Sequence, residues 1–303
     1  MFPTKISIAT LALAGVLGAQ DFAVSGPVSG AVFDEQAKAV RQIAGVPGAA
    51  YLRGSLAVAD QGSVSPDGRF AVLAADGELT LLDLISGRVS KLGAAKGLDA
   101  IAWGADSKSV AVEAGRVALW TGLDAQPEAA PLAAFEGDAT ALAVSGRSVA
   151  AAAKGGVWLL TADGSRLIAP VEDPSALAIA GGTLYVADRA RKEILAVRNF
   201  DGSAEISLIA NETAGIDSPA ALAVESGLLY EADASRKVLV LNLATGEVVR
   251  QLDLDFEPGR LEAFARGMYR MDSRRAAGQP VQILKAGAEP AVYFVPAEAS
   301  LED

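Results

Sequence analysis

Short apolar runs alternate with polar, glycine-bearing turns along most of this chain, and one phrase made of them recurs. It reads Gly-Gly-Thr-Leu-Tyr-Val-Ala-Asp-Arg-Ala-Arg-Lys-Glu-Ile-Leu-Ala-Val around Tyr185, and Ser-Gly-Leu-Leu-Tyr-Glu-Ala-Asp-Ala-Ser-Arg-Lys-Val-Leu-Val-Leu around Tyr230. A weaker copy, Asp-Gly-Arg-Phe-Ala-Val-Leu-Ala-Ala-Asp-Gly-Glu-Leu-Thr-Leu-Leu, surrounds Phe70. Runs of this length, bounded by Gly, Asp and Asn, predict strands joined by tight turns. No stretch after the N-terminal segment sustains the 3.6-residue apolar period of a long helix.

Aligning the copies gives units of four strands. The first strand is small and apolar: Ala100-Ile-Ala-Trp103, Thr140-Ala-Leu-Ala-Val144, Ser175-Ala-Leu-Ala-Ile179, Ala220-Ala-Leu-Ala-Val224 and, less regularly, Arg260-Leu-Glu-Ala-Phe264. Phe70, Val110, Val149, Tyr185, Tyr230 and Tyr269 mark the second strands. Third strands such as Glu193-Ile-Leu-Ala-Val197 and Lys237-Val-Leu-Val-Leu-Asn242 are almost continuously apolar, as expected of strands covered on both faces. Fourth strands such as Glu247-Val-Val-Arg-Gln-Leu252 carry more charge, as exposed edges do. Repetition at roughly 40 residues predicts an all-β fold, a single β-propeller.

Six such units fit between residues 55 and 297. The expected ring therefore has six blades of four antiparallel strands. Ala31-Val-Phe-Asp-Glu-Gln-Ala-Lys-Ala-Val-Arg-Gln-Ile43 reads like the third and fourth strands of a further unit and is expected to close the ring. Seven blades is the alternative, if the last unit keeps Ala291-Val-Tyr-Phe-Val295 as its own outer strand. Ser65-Pro-Asp-Gly-Arg69 resembles the turn phrase of TolB-type and WD40-like propellers. Leu184-Tyr-Val-Ala-Asp188 and Leu229-Tyr-Glu-Ala-Asp233 resemble the repeats of NHL and YVTN-type propellers. The resemblance holds at the level of the repeat, and implies a fold and no reaction.

Composition narrows the chemistry. The 303 residues contain no Cys and no His, which removes disulfides, thiolate metal sites, Cys nucleophiles and every His-dependent catalytic arrangement. A net charge of −11 disfavours nucleic acid and anionic membrane surfaces as partners. Lys5 followed by the apolar stretch Ile6–Gly18, with small residues at Gly18 and Ala19, has the form of a cleaved export signal, residues 1–19. Residues 20–303 would then be one exported domain, periplasmic or secreted, with no lipid-anchoring Cys, no membrane span and a monomeric state.

In a propeller, the turns after the second strands and the links into the next first strands share one face. Asp76, Asp188, Asp233 and Asp272 are expected there, with Arg189, Arg236, Arg274 and Arg275 in or beside the same turns. These are the candidate binding-face residues. Carboxylates so arranged are candidate Ca²⁺ ligands. The competing reading is that each Asp accepts amide hydrogens within its own turn, and no cofactor is expected. The acidic run Asp253, Asp255 and Glu257 reads as a solvated edge strand, and Trp103, Trp120 and Trp158 read as core.

The expected function is that of a non-catalytic binding scaffold whose partner is another protein. A cation-dependent hydrolase or lactonase-like enzyme, and a small-ligand or carbohydrate binder, are the alternatives. Irregular spots such as Ser273–Gln279 are where a functional residue would break the repeat.

Overall fold

The computed structural model describes residues 28–46, 48–95, 97–271 and 278–296. Seven antiparallel sheets follow one another as blades: 28–58, 61–94, 100–130, 141–169, 174–210, 219–253 and 262–295. Blades 2 to 7 have four strands each, hydrogen-bonded in radial order. Blade 5 is typical, with Pro174–Ala180, Thr183–Asp188, Glu193–Arg198 and Glu205–Ala210 running from axis to rim.

Burial explains the sequence pattern. Second strands such as Thr183–Asp188 and Ser109–Glu113 are buried on both faces, so they read as unbroken apolar runs. Fourth strands such as Val248–Asp253 are exposed and alternate with charge. The core is a series of layers between adjacent blades. Leu184 and Val186 pack back onto Ala150, Ala152 and Leu159 of blade 4, while Tyr185 and Ala187 pack forward onto Leu222, Leu229 and Leu239 of blade 6. Seven such layers complete the ring.

The six-blade expectation is therefore corrected to seven. The last blade keeps Ala291–Val295 as its outer strand, paired with Val281–Lys285, and the N-terminal segment builds a blade of its own. That blade has three described strands, Val28–Asp34, Ala39–Ala44 and Tyr51–Val58. Their direction fixes their rank. Tyr51–Val58 leads into the first strand of blade 2, as every fourth strand leads into the next first strand. Ala39–Ala44 and Val28–Asp34 are then the third and second strands, not the fourth and third.

The turn chemistry agrees. Asp34 accepts the amide hydrogens of Gln36 and Ala37, as Asp188, at the end of a second strand, accepts those of Ala190 and Arg191. Lys38 and Lys192, four residues after each Asp, both take a positive φ. The N-terminal blade does sit at the ring closure, but among the described residues its strands pair only with one another. Side chains alone join it to blade 7: Val32, Ile43 and Leu52 pack on Phe264, Val281 and Ile283. Among the described residues, no helix is long and apolar enough to cross a membrane.

Candidate binding channel

First strands of blades 2 to 7 line a central channel of about 770 Å³, to which blade 1 contributes Phe33 and Glu35. That volume suits a small organic ligand or a protruding side chain or loop. The wall is divided. Blades 4, 5 and 6 present Leu142, Ala143, Leu177, Ala178, Leu222 and Ala223, because short apolar side chains let the strands crowd the axis. Blades 7, 1, 2 and 3 present a connected polar array.

The array begins at Trp103, whose Nε1 donates to Ser63 Oγ at 2.8 Å. Ser63 Oγ donates in turn to Glu262 Oε1, so side chains of blades 2 and 7 meet in front of blade 1. Arg270 Nη2 donates to Glu262 Oε2 at 2.7 Å, and its Nη1 donates to the Phe33 carbonyl. Arg260 lies between Glu35, at 2.8 Å, and Glu262, at 3.6 Å. Burial works most strongly against the Glu262 charge. The charges of Arg270 and Arg260, with the hydrogen bonds from Ser63 and Arg270, nevertheless hold its carboxyl below the ordinary glutamate value. Two guanidinium groups thus face two carboxylates at the closure of the ring. A buried pair of this kind is tolerable only with its partners in place.

Asp188 and Asp233, both fully buried, accept from backbone across two segments. Asp188 takes the amides of Glu172 and Asp173 from the incoming link and those of Ala190 and Arg191 from its own turn. Asp233 takes the amides of Asp217, Ser218 and Ser235 and the Ser235 hydroxyl. These hydrogen bonds overcome the effect of burial and lower the Asp233 carboxyl. Each carboxylate clamps a link to a turn, in line with the structural reading of the repeat.

Asp76 is different. It is exposed and takes a φ of 51°, with Gly77 at 78°, in the two-residue turn of a hairpin. Arg189, 3.7 Å from Asp173, and Arg236, whose φ is 70°, are exposed on the same upper face. None of these five residues lines the channel. Asp272, Arg274 and Arg275 lie outside the described residues, as do residues 1–19, where an export signal is expected, and most of the Ser273–Gln279 turn. Among the described residues, no group of three His, Cys, Asp or Glu side chains is placed to hold a metal ion.

Sequence reasoning passed over the polar array. Its signal is the pair of charges in Arg260-Leu-Glu-Ala-Phe264, the one first-strand phrase that carries any. Tyr269, aligned with Tyr185 and Tyr230, faces the other way. Those two pack towards the following blade, whereas Tyr269 packs back onto blade 6. A register shift between Ala263 and Ala265 accompanies the change, and it is Arg270 that meets blade 1.

A buried carboxyl of a different kind also lies outside the channel. Glu231 occupies the place of Val186 in the repeated phrase, opposite Leu222 and Leu239, and neither of its oxygens has a hydrogen-bond partner among the described residues. Burial, and then the charge of Asp233, push its carboxyl well above the ordinary range despite Lys237.

No protein-family model matches the chain, and no curated protein matches its sequence. Solved structures match its fold. A functionally unknown protein from Desulfotomaculum acetoxidans is similar with a TM-score of 0.61 at 10% identity, over 89% of this chain and 99% of that one. The computationally designed Ika8 protein gives 0.55 at 16%, over 86% and 84%. The dihydro-heme d1 dehydrogenase NirN gives 0.52 at 16%, over 84% of this chain and 57% of the enzyme. At these identities the likeness defines the architecture, a β-propeller, and nothing of the chemistry.

Proposed function

We propose that this chain is an exported, non-catalytic binding propeller whose upper face receives another protein. One observation supports the reading most. Asp188 and Asp233 on that face are spent on backbone amides, and Glu35 and Glu262, the carboxylates of the channel's polar array, are paired with arginines. What the upper face offers instead is a mixed field of exposed charge. Arg189 lies beside Asp173, and Lys192 bridges Glu212 and Asp217. Exposed pairs of this kind add little stability and are free to reorganise against a partner.

The test is affinity capture from the exported fraction by three chains: the natural one, an Arg189→Glu/Arg191→Glu variant of the upper face, and an Arg147→Glu variant in the exposed turn of the lower face. A partner held by the first and third chains and lost by the second is the expected result. Equal retention by all three, or no specific partner at all, overturns the proposal.

A further inference from the structure

The upper mouth of the channel is rich in acceptors. Asp60, Asp99, Thr140 and Ser175 stand there, at the upper ends of four successive first strands. Thr140 Oγ1 shares its proton between the carbonyls of Ala152 and Pro174, at 3.3 and 3.2 Å, and Ser175 Oγ donates to the Pro219 carbonyl at 2.6 Å. Each hydroxyl proton is committed to the wall, which leaves its oxygen to accept. The charge has the same sense. The two guanidinium groups of the polar array are matched by Glu35 and Glu262, and Asp60 and Asp99 come in addition. Asp60 meets Lys38 at 3.0 Å in an exposed pair that water screens. Among the described residues, Asp99 joins no ion pair. Behind it, burial, opposed by the Gly115 amide and joined by the charges of Asp99 and Asp138, raises the Glu113 carboxyl. Below the mouth the wall turns apolar. Ile101, Leu142, Leu177 and Leu222 share one level of the first strands, opposite Val112, Ala151, Val186 and Glu231. Trp103 lines the channel nearer its lower end, four residues from Asp99 and so about 13 Å deeper.

We propose that the channel binds a small organic cation, a protonated amine carrying an apolar body, which enters from the upper face. The ammonium group donates to Asp99, with the Thr140 and Ser175 oxygens as further acceptors, and the body lies along Leu142, Leu177 and Leu222 towards Trp103. A cavity of about 770 Å³ is of the size that takes such a molecule. An anion of the same shape meets like charge at Asp60 and Asp99. A neutral one strips water from those carboxylates and gives them no partner. The net charge of −11 favours the approach of a cation from solution. The site stands apart from the exposed charges around Arg189 and does not depend on a protein partner there.

Calorimetric titration at neutral pH tests this with three probes of one shape: the cation of 4-phenylbutylamine, neutral 4-phenylbutanol and anionic 4-phenylbutanoate. One site per chain is expected, with the amine bound at least about tenfold more tightly than the alcohol, and the anion more weakly still. Asp99→Asn, an exposed substitution, should weaken the amine about tenfold and scarcely touch the alcohol. Asp76→Asn removes the same charge from the same face outside the channel, and should leave the affinity for the amine unchanged. The amine should also alter the protein's fluorescence, a change absent in Trp103→Phe. An alcohol bound as tightly as the amine would assign the channel to neutral apolar ligands and overturns the proposal. Equal weakening by Asp99→Asn and Asp76→Asn would mean attraction by net charge alone, with the same consequence. A fluorescence change that persists in Trp103→Phe, or no saturable binding of the amine, also overturns it.

Discussion

Glu231 sits where the sister phrase has valine, and its surroundings make no provision for a carboxylate. Its proton is bound more tightly in the folded than in the unfolded chain. Glu231 therefore carries no ionisation cost at pH values below the ordinary glutamate pKa of 4.5, only that of burying a neutral carboxyl. As pH rises from there towards the elevated folded value, the cost grows, and above that value it is constant. Glu231→Leu, which keeps the volume and joins Leu222 and Leu239, is expected to stabilise the protein by roughly 1–3 kcal/mol at neutral pH. The gain should shrink as pH falls towards 4, which urea denaturation at pH 4 and pH 8 would show. Asp233 carries the opposite sign. Its lowered carboxyl stabilises the fold above the unfolded aspartate pKa of 3.8, and that stabilisation fades as pH falls through the folded value.

The repeating element is the unit in which Asp188 and Asp233 act. Asp188→Ala orphans amides of two segments at once and is expected to cost about 1–3 kcal/mol. Asp76→Asn, in an exposed two-residue turn where Asn suits a positive φ, should change stability by no more than about 0.5 kcal/mol. Thermal melts of the two variants would separate a clamp from a turn residue, a distinction that the shared letter in the sequence hides.

Much of the element pattern was legible, because a strand buried on both faces must be apolar throughout and an outer strand need not be. The first strands at Ala100, Ala141, Pro174 and Pro219 lie where the small-residue phrases predict them. Radial rank was not legible at the N-terminus. Val-Phe-Asp-Glu-Gln-Ala-Lys-Ala-Val and Val-Leu-Asn-Leu-Ala-Thr-Gly-Glu-Val both place a polar turn between apolar strands, and only the direction of the neighbours tells a second-to-third turn from a third-to-fourth one. Nor does a local pattern show which charges converge. Glu35, Ser63, Glu262 and Arg270 come together only once the ring is closed.

At the scale of the molecule, the closure between blades 7 and 1 depends on Arg270. Arg270→Ala removes the nearer of Glu262's two arginines and the donor to Phe33, and is expected to cost about 3–5 kcal/mol. Arg270→Met combined with Glu262→Gln removes both charges and should recover a good part of that loss, because a buried pair replaced together costs far less than one broken. Denaturation of the three chains checks this; a double variant as unstable as Arg270→Ala would show that packing at the closure, rather than charge, sets its strength.

A closure made without a shared strand also has a consequence in time. Val32 and Ile43 leave the ribosome well ahead of Phe264, Val281 and Ile283, which cover them. At roughly 5–20 residues per second, that apolar face waits on the order of ten seconds or more for its cover. Until then the face of the N-terminal blade turned away from blade 2 stays bare, and a nascent chain stalled before residue 260 would present it as a sticky surface to chaperones and to its neighbours.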